Sequence, residues 1–432
     1  MSRYKRYEGY KDSGVEWIGE IPEHWGIIKL KFLSTIFKGK NPQELTDEWR
    51  EEFLPYLSME YLRNSGDTLT LYAYPEKNLV TVNNSDILIL WDGSNAGEIV
   101  EGKNGILSST MAKIVPNNIV TRYLYWFLKG IEKFFKDNTV GMGIPHVNGE
   151  TLKNHLVLLP NLQDQNSIAN FLDQKTAEID GLIADKEKLI ELLQEKRQAI
   201  ITEAVTKGLN PNVRLKDSGI EWIGEIPEHW EVKRIKYLAT VNPSKSEVRH
   251  LPPEQEVTFI PMEKIVATGK VDYSITNTVK NLIDGYTYFR DGDIIMAKVT
   301  PCFENGNIAI VNGLLNGIGF GTTELHVLRC NNKCYNKFLF YYLQSDVFKS
   351  KGISEMYGVA GLKRIPTDFV LNYKLGIPDY QEQKQITLYL DTIVDKINTL
   401  ISDIQTQIDK LKEYRQSIIS EAVTGKIKIY NS

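Results

Sequence analysis

Cysteine is scarce in this chain. Three residues in 432 are an odd number and too few for a disulfide framework, and they suit a reducing interior. Long apolar runs are also missing. Stretches such as "DILILW" and "FLFYYL" fall far short of the roughly 20 residues that span a bilayer. The opening "MSRYKRYEGYKDS" lacks the apolar core of a signal peptide. These absences point to a cytoplasmic protein with no membrane partner. A basic excess is absent too: the net charge is −4, so any phosphate binding must come from local patches. What is present is ordinary, with 42% hydrophobic and 25% charged residues. The length suits two or three domains, each with its own core.

The chain repeats itself. Asp12–Trp25 reads "DSGVEWIGEIPEHW" and Asp217–Trp230 reads "DSGIEWIGEIPEHW", with Val15 replaced by Ile220. A second pair, "LPNLQDQNSIANFLDQKTAEIDGLI" from Leu159 and "IPDYQEQKQITLYLDTIVDKINTLI" from Ile377, follows at a similar offset. Looser echoes lie between: "YLSMEYL" with "FIPMEKI", "DILIL" with "DIIMA", "YLYWFL" with "FLFYYL". One unit is therefore written twice, each copy a globular part followed by a long polar-apolar part.

The long parts read as helices. In the second copy apolar residues recur at Ile386, Leu390, Ile393, Ile397, Leu400, Ile404, Ile408, Leu411, Ile418 and Ala422. The steps are threes and fours, with an extra four at Ile404–Ile408 and a gap at Arg415, which is a heptad seam with a stutter. The first copy keeps it through Ile168, Leu172, Ile179, Leu182, Ile190, Leu193, Ile200 and Ala204. Pro160 and Pro378 stand before the helices, and Gly208 and Gly425 stand after. Each helix, at roughly 43 residues, would reach about 64 Å. A helix this long with one apolar stripe wants a partner, and the other copy supplies one. Chain direction favours antiparallel pairing, a rod with a globular part at each end. Each copy of the repeated stretch would then meet the C-terminal end of one helix, the second by direct continuation and the first through space. Four of the seven tryptophans, Trp17, Trp25, Trp222 and Trp230, lie there, and such rings at a junction bury much apolar area. The stretch reads as a structural anchor, with His24 and His229 as structural histidines.

At these residues the chain resembles the specificity subunit of a type I DNA restriction-modification system. The resemblance runs nearly full length and is carried by "SGIEWIGEIPEHWEVKRIKYL", "GDIIMAKVTPCFENGNIAI", "GFGTTELHVL" and "LLPNLQDQNSIANFLD". It implies an α+β fold with two similar target-recognition domains, residues 1–162 and 208–380. A long spacer helix, 163–207, separates them, and a second, with the C-terminal tail, fills 381–432, giving a circular pseudo-two-fold repeat. It also implies that the partners are double-stranded DNA, two copies of a methylation subunit and a restriction/translocase subunit. The chain itself would hold no cofactor, S-adenosylmethionine belonging to the methylation subunit. The first domain has "SDILILWDGSNAGE" where the second has "GDIIMAKVTPCFENG", as expected if the two read different sequences.

Signs of catalysis are sparse. There is neither an Asn/Asp-Pro-Pro-aromatic motif nor G-x-x-x-x-G-K-[ST]. "PDYQEQK" superficially matches a nuclease's PD…ExK, but its carboxylates crowd one helix start, where acids suit the helix dipole. His326, Cys330 and Cys334 offer three metal ligands at most. "GMGIPH" and "GVAGLK" read as loops. What remains is recognition: Asn, Arg, Lys and His on loops, for bases and phosphates. In the first domain these are Lys38, Lys40, Asn95, Lys103, Asn104 and His146. In the second they are Lys245, Arg249, Lys298, Asn305, Asn307, Lys363 and Arg364. Lys363-Arg364 falls opposite Pro145-His146. The expectation is a non-catalytic DNA-recognition subunit, each domain reading half of a bipartite site and the helices fixing the spacing. A duplicated nuclease or hydrolase, or a coiled-coil protein scaffold, are the competing readings.

Overall fold

The computed structural model describes residues 4–16, 18–63, 69–266, 269–359 and 361–429. It divides into two compact units, one of residues 1–186 with 406–432 and one of residues 187–405. The sequence-based division cuts at the helix starts, whereas the units divide within the helices. The reason is local: each unit is closed by the outgoing end of the other copy's helix.

In unit 1 one antiparallel sheet has the order Ser34–Lys38, Met111–Pro116, Ile87–Leu90, Ile99–Glu101. A second sheet runs Tyr72–Ala73, Leu54–Leu57, Gly105–Leu107, Thr81–Val82, with 54–57 and 105–107 parallel. Unit 2 has the same two orders. They are Ala239–Val241, Leu325–Cys330, Ile294–Ala297, Ile308–Ile310, and Thr276–Thr278, Glu256–Ile260, Ile318–Gly321, Thr287–Arg290. The duplication in sequence is a duplication of topology.

The strand Ile294–Ala297 shows why a short run with no polar residue is read here. Successive side chains point to opposite faces, and both faces are covered. Ile294 and Met296 join Ile308 and Leu328 in the core under the helices. Ile295 joins Ala309, Val327 and Phe289 in the core against the second sheet.

The two long helices span Leu162–Lys207 and Tyr380–Val423. Their starts are capped by side chains. Asn161 Oδ1 accepts from the Asp164 N–H at 2.9 Å, and Asp379 Oδ1 accepts from the Gln381 and Glu382 N–H groups, both at 2.9 Å. This satisfies orphan donors of the first turn and accounts for the acidic start of "PDYQEQK". The helices run antiparallel within each unit. In unit 1 the Arg415 guanidinium holds Asp180 at 2.8 and 3.1 Å, while Lys186 Nζ donates to Gln407 Oε1 at 2.7 Å. In unit 2 Arg197 donates to Asn398 at 2.7 Å, and Ile201, Ala204 and Val205 share a core with Ile386 and Leu390.

The seam differs from the sequence reading at two places. Leu182 and Leu400 are exposed, and their neighbours Ile183 and Ile401 turn inward instead. With Ile401 in the seam, the steps from Ile401 to Ile404, Ile408 and Leu411 are regular. The extra step of four therefore lies at Ile397–Ile401, not Ile404–Ile408. With two adjacent apolar residues, the 3.6-residue turn decides which one faces in.

The repeated stretch meets both long helices of its unit. Each copy turns on the same bonds: the Asp12 and Asp217 carboxylates accept from Gly14 and Gly219 N–H at 2.9 Å. Both glycines hold positive φ, 66° and 69°, where a Cβ would be strained. Trp25 and Trp230 are fully buried. Trp25 packs beside Gly425, where a Cβ would also meet the Pro22 ring at 2.4 Å. Tyr10 Oη donates to the Gly425 carbonyl at 2.9 Å. Trp230 lies beside Gly208 and donates its indole N–H to Glu382 at 3.2 Å. His24 reaches Asp164 at 2.9 Å and His229 reaches Glu382 at 2.8 Å. So the peptide joins the start of one helix to the end of the other. Trp222 differs from its expected role: it is 39% exposed and lies under Lys351, against the Tyr373 ring. Trp17 lies outside the described residues.

Candidate nucleic-acid interface

The two domains each bring three chain segments together at one end of the first sheet. In unit 1 the strand Ile87–Leu90 ends at Trp91-Asp92, and Asp92 bridges to His146. The Gly93 N–H donates to the Pro145 carbonyl at 2.9 Å and the Val147 N–H to the Trp91 carbonyl at 2.9 Å. Lys38, ending the edge strand, pairs with Asp92 at 3.0 Å and lies over the Trp91 ring. Gly39 fits because no side chain could: a Cβ would stand 2.0 Å from the Ser108 carbonyl. That close approach sets Lys38 and exposed Lys40 beside the same cluster. Exposed Asn95 sits in the turn that follows Asp92.

Unit 2 repeats the framework bond for bond. Val299 bridges to Arg364, Thr300 N–H donates to the Lys363 carbonyl at 2.9 Å, and Ile365 N–H to the Lys298 carbonyl at 2.8 Å. Thus Lys363-Arg364 stands where Pro145-His146 stands, as the sequence reading placed them, and Lys298-Val299 stands where Trp91-Asp92 stands. Asn305 and Asn307 belong to the loop between the paired strands: Ala297 N–H donates to the Asn307 carbonyl at 2.9 Å. Arg364 grips Glu324 through Nε and Nη2, both at 2.9 Å. The guanidinium's hydrogen bonds hold the Glu324 carboxyl below its ordinary range. His326 is buried behind this cluster, bonded to the Ile365 carbonyl at 3.0 Å, and burial pushes its pKa down to about 4. Cys330 ends a strand, and Cys334 is buried in the core under the helices.

Other expected residues lie elsewhere. Lys103 and Asn104 precede the strand Gly105–Leu107, whose far end approaches Gly39. Lys103 covers the Tyr61 ring, and Asn104 exchanges two backbone–amide bonds with Asn84, at 3.0 and 3.1 Å, so it serves a turn. Lys245 donates to the Asp284 carbonyl at 3.4 Å. Arg249 is exposed next to Val248, which packs into the core beneath the second sheet. The cluster also includes residues the sequence reading omitted: Trp91, Asp92 and Glu324. Trp91 and Asp92 directly follow "DILIL", so the internal alignment alone could have pointed to them.

The fold and site define a duplicated recognition protein, with one framework carrying two different sets of polar side chains. Comparison with known proteins agrees. The model of the type I restriction modification DNA specificity domain matches twice, over residues 22–192 and 227–410. The type I restriction enzyme MjaVIII specificity subunit of Methanocaldococcus jannaschii is 33% identical over 95% of both chains. The EcoAI specificity subunit of Escherichia coli is 39% identical over 45% of this chain and 33% of its own. Among solved structures, a chain from work on complex assembly and conformational transition of the type I R-M system shares the fold. Its TM-score is 0.68 at 15% identity, covering 93% of this chain and 98% of that one. The HsdS subunit from Thermoanaerobacter tengcongensis follows with a TM-score of 0.50 at 15% identity, covering 94% and 98%. The chain belongs to the type I restriction-modification DNA specificity family. It is a specificity subunit, with two DNA-recognition domains and a non-catalytic role. Among the described residues no helix is long and apolar enough to cross a membrane.

Proposed function

We propose that each domain reads one half of a bipartite site in double-stranded DNA through the cluster at the end of its first sheet. The observation that carries this is the shared framework. The bridges Asp92–His146 and Val299–Arg364 occupy the same place, yet one presents Lys38, Lys40, Asp92 and His146 and the other Lys298, Lys363 and Arg364. Recognition of two different half-sites calls for like scaffolds with unlike donors and acceptors. Lysines and arginines beside base-reading groups position the duplex through phosphates. Lys103, Asn104, Lys245 and Arg249, away from the clusters, are assigned to phosphate contact or turn structure.

The long helices set the distance between half-sites. Two copies of a methylation subunit carrying S-adenosylmethionine, and a restriction/translocase subunit, complete the assembly in the cytoplasm; this chain holds no cofactor. Replacing Lys363 and Arg364 by Ala should alter or weaken one half-site, with a lost base contact costing ~1–3 kcal/mol. Unchanged DNA affinity with failed assembly would move these residues to a protein interface. Seven residues inserted into both helices keep the heptad phase and add about 10 Å, roughly three base pairs at ~3.4 Å each. Methylation at the original spacing would refute the spacer role.

A further inference from the structure

Each recognition cluster is flanked by large apolar side chains held in water. In unit 1 the loop between Val140 and His146, closed by two backbone bonds of 2.9 and 2.8 Å, carries Met142 and Ile144. They are 107% and 70% exposed. Gly141 and Gly143, at φ 111° and 108°, shape the loop. In unit 2 the hairpin Tyr357–Val359 with Leu362–Arg364 carries Tyr357 and Leu362, 68% and 54% exposed. Gly358 there approaches the Leu362 carbonyl so closely that a Cβ would stand 2.1 Å away. Tyr357 lies directly across from Arg364, and Leu362 shares the face of Arg364, two residues along the strand. Scattered exposed apolar residues are common, but an exposed apolar pair on the corresponding loop of both domains, beside cationic side chains, calls for a partner.

The loop is shared while the residues differ: Ile144 and Leu362 both stand two residues before the paired His146 or Arg364, Tyr357 stands where Val140 does, and Met142 lies between Val140 and Ile144 in the first loop. A contact to an invariant surface would favour the same residues in both copies. A contact to two different sequences requires different ones. The surrounding cations, Lys38 and Lys40 in unit 1 and Lys298, Lys363 and Arg364 in unit 2, outnumber the acids Asp92 and Glu324 that pair with Lys38 and Arg364, and the excess complements a polyanion. The apolar surface a major groove offers is the thymine 5-methyl group. We propose that these loops are specificity elements, Met142 with Ile144 and Tyr357 with Leu362 packing on thymine methyl groups in their own half-sites. This rests on the DNA-reading function above and adds the chemistry that the polar residues do not supply.

The test measures affinity of the full chain, assembled with its methylation subunit, for duplexes carrying the methylation-mapped site. Thymines of one half-site at a time are replaced by deoxyuridine, which removes only the methyl. Each lost contact is expected to weaken binding about fourfold, the worth of one buried methyl. The M142A/I144A variant should bind several-fold more weakly than the native chain and be indifferent to uracil in its own half-site. It should remain sensitive in the other, and Y357A/L362A should show the converse. The dependence of affinity on salt should keep its slope, since no phosphate contact is lost. Indifference of the native assembly to uracil in both half-sites overturns the proposal, as do variants with native affinity. Variants that fail to recruit the methylation subunit while binding DNA normally also overturn it, by assigning the loops to a protein. A native assembly that does not prefer its mapped site over random duplex refutes the DNA-reading function itself, a different outcome from any of these.

Discussion

The anchor peptide and the recognition cluster, compared across the two domains, follow opposite rules. In the anchor both sequence and geometry are kept: Asp12 and Asp217 make the same turn bond at the same 2.9 Å. In the cluster the backbone bonds are kept but the side chains are exchanged, His146 for Arg364 and Trp91 for Lys298. A junction joining two long helices has the same packing problem in both copies, and one solution serves twice. A surface that meets two different ligands shares only its scaffold.

The largest expected effect tests whether the anchors are truly equivalent. Trp25→Ala and Trp230→Ala should each cost about 3–5 kcal/mol in denaturant unfolding, as large core truncations do. Trp230→Ala should be worse by about 1 kcal/mol, because only Trp230 has an indole N–H bonded to the first-turn acid. Equal costs would show that this bond contributes nothing.

A second contrast concerns the acid that opens each central strand. Asp293 is 1% exposed and held by Arg329 at 2.8 and 2.7 Å. The counterpart Asp86 pairs with Lys113 at 2.6 Å in a wetter setting. Arg329→Ala strands a buried carboxylate and should cost about 3–5 kcal/mol. Lys113→Ala should cost about 1 kcal/mol or less. Similar losses would erase the distinction.

The third is pH. His326 fills the strand position that Ala112 fills in the first domain. Its folded pKa, about 4, lies below its ordinary 6.5 because burial disfavours the cation and Lys298 repels it, against the opposing effects of the Ile365 carbonyl and Glu324. The unfolded chain therefore takes up the proton first. Stability from this residue is intact above pH 6.5 and falls by up to about 3 kcal/mol as pH drops toward 4. His326→Gln should flatten that part of the pH–stability curve, and an unchanged curve would contradict it. The smallest effect repairs an asymmetry. Asp164 reaches His24 but leaves the buried Trp25 N–H without a partner, whereas the longer Glu382 serves both His229 and Trp230. Asp164→Glu should raise stability by about 1 kcal/mol, read as a higher midpoint.

The sequence disclosed what depends on repetition and periodicity. The two copies, both helices to within a residue or two, and the equivalence of Lys363-Arg364 to Pro145-His146 were legible because each rests on the internal repeat or a 3.6-residue pattern. The choice of Ile183 over Leu182 and of Ile401 over Leu400 was not, since adjacent apolar residues compete and tertiary packing decides. Nor could the sequence tell which polar loops converge. Lys103 and Lys40 are both loop lysines, but they sit near opposite ends of the strand Gly105–Leu107. Lys245 and Arg249 resemble Lys298 in type, yet the buried Val248 fixes them over the second sheet's core.

The central claim is that each domain reads its own half-site independently. The most direct measurement exchanges residues 208–380 for the same domain of a related specificity subunit and maps the methylated positions in host DNA. One half-site should change, while the other half-site and the spacing stay as they were. A change in both half-sites, or in neither, would contradict the account.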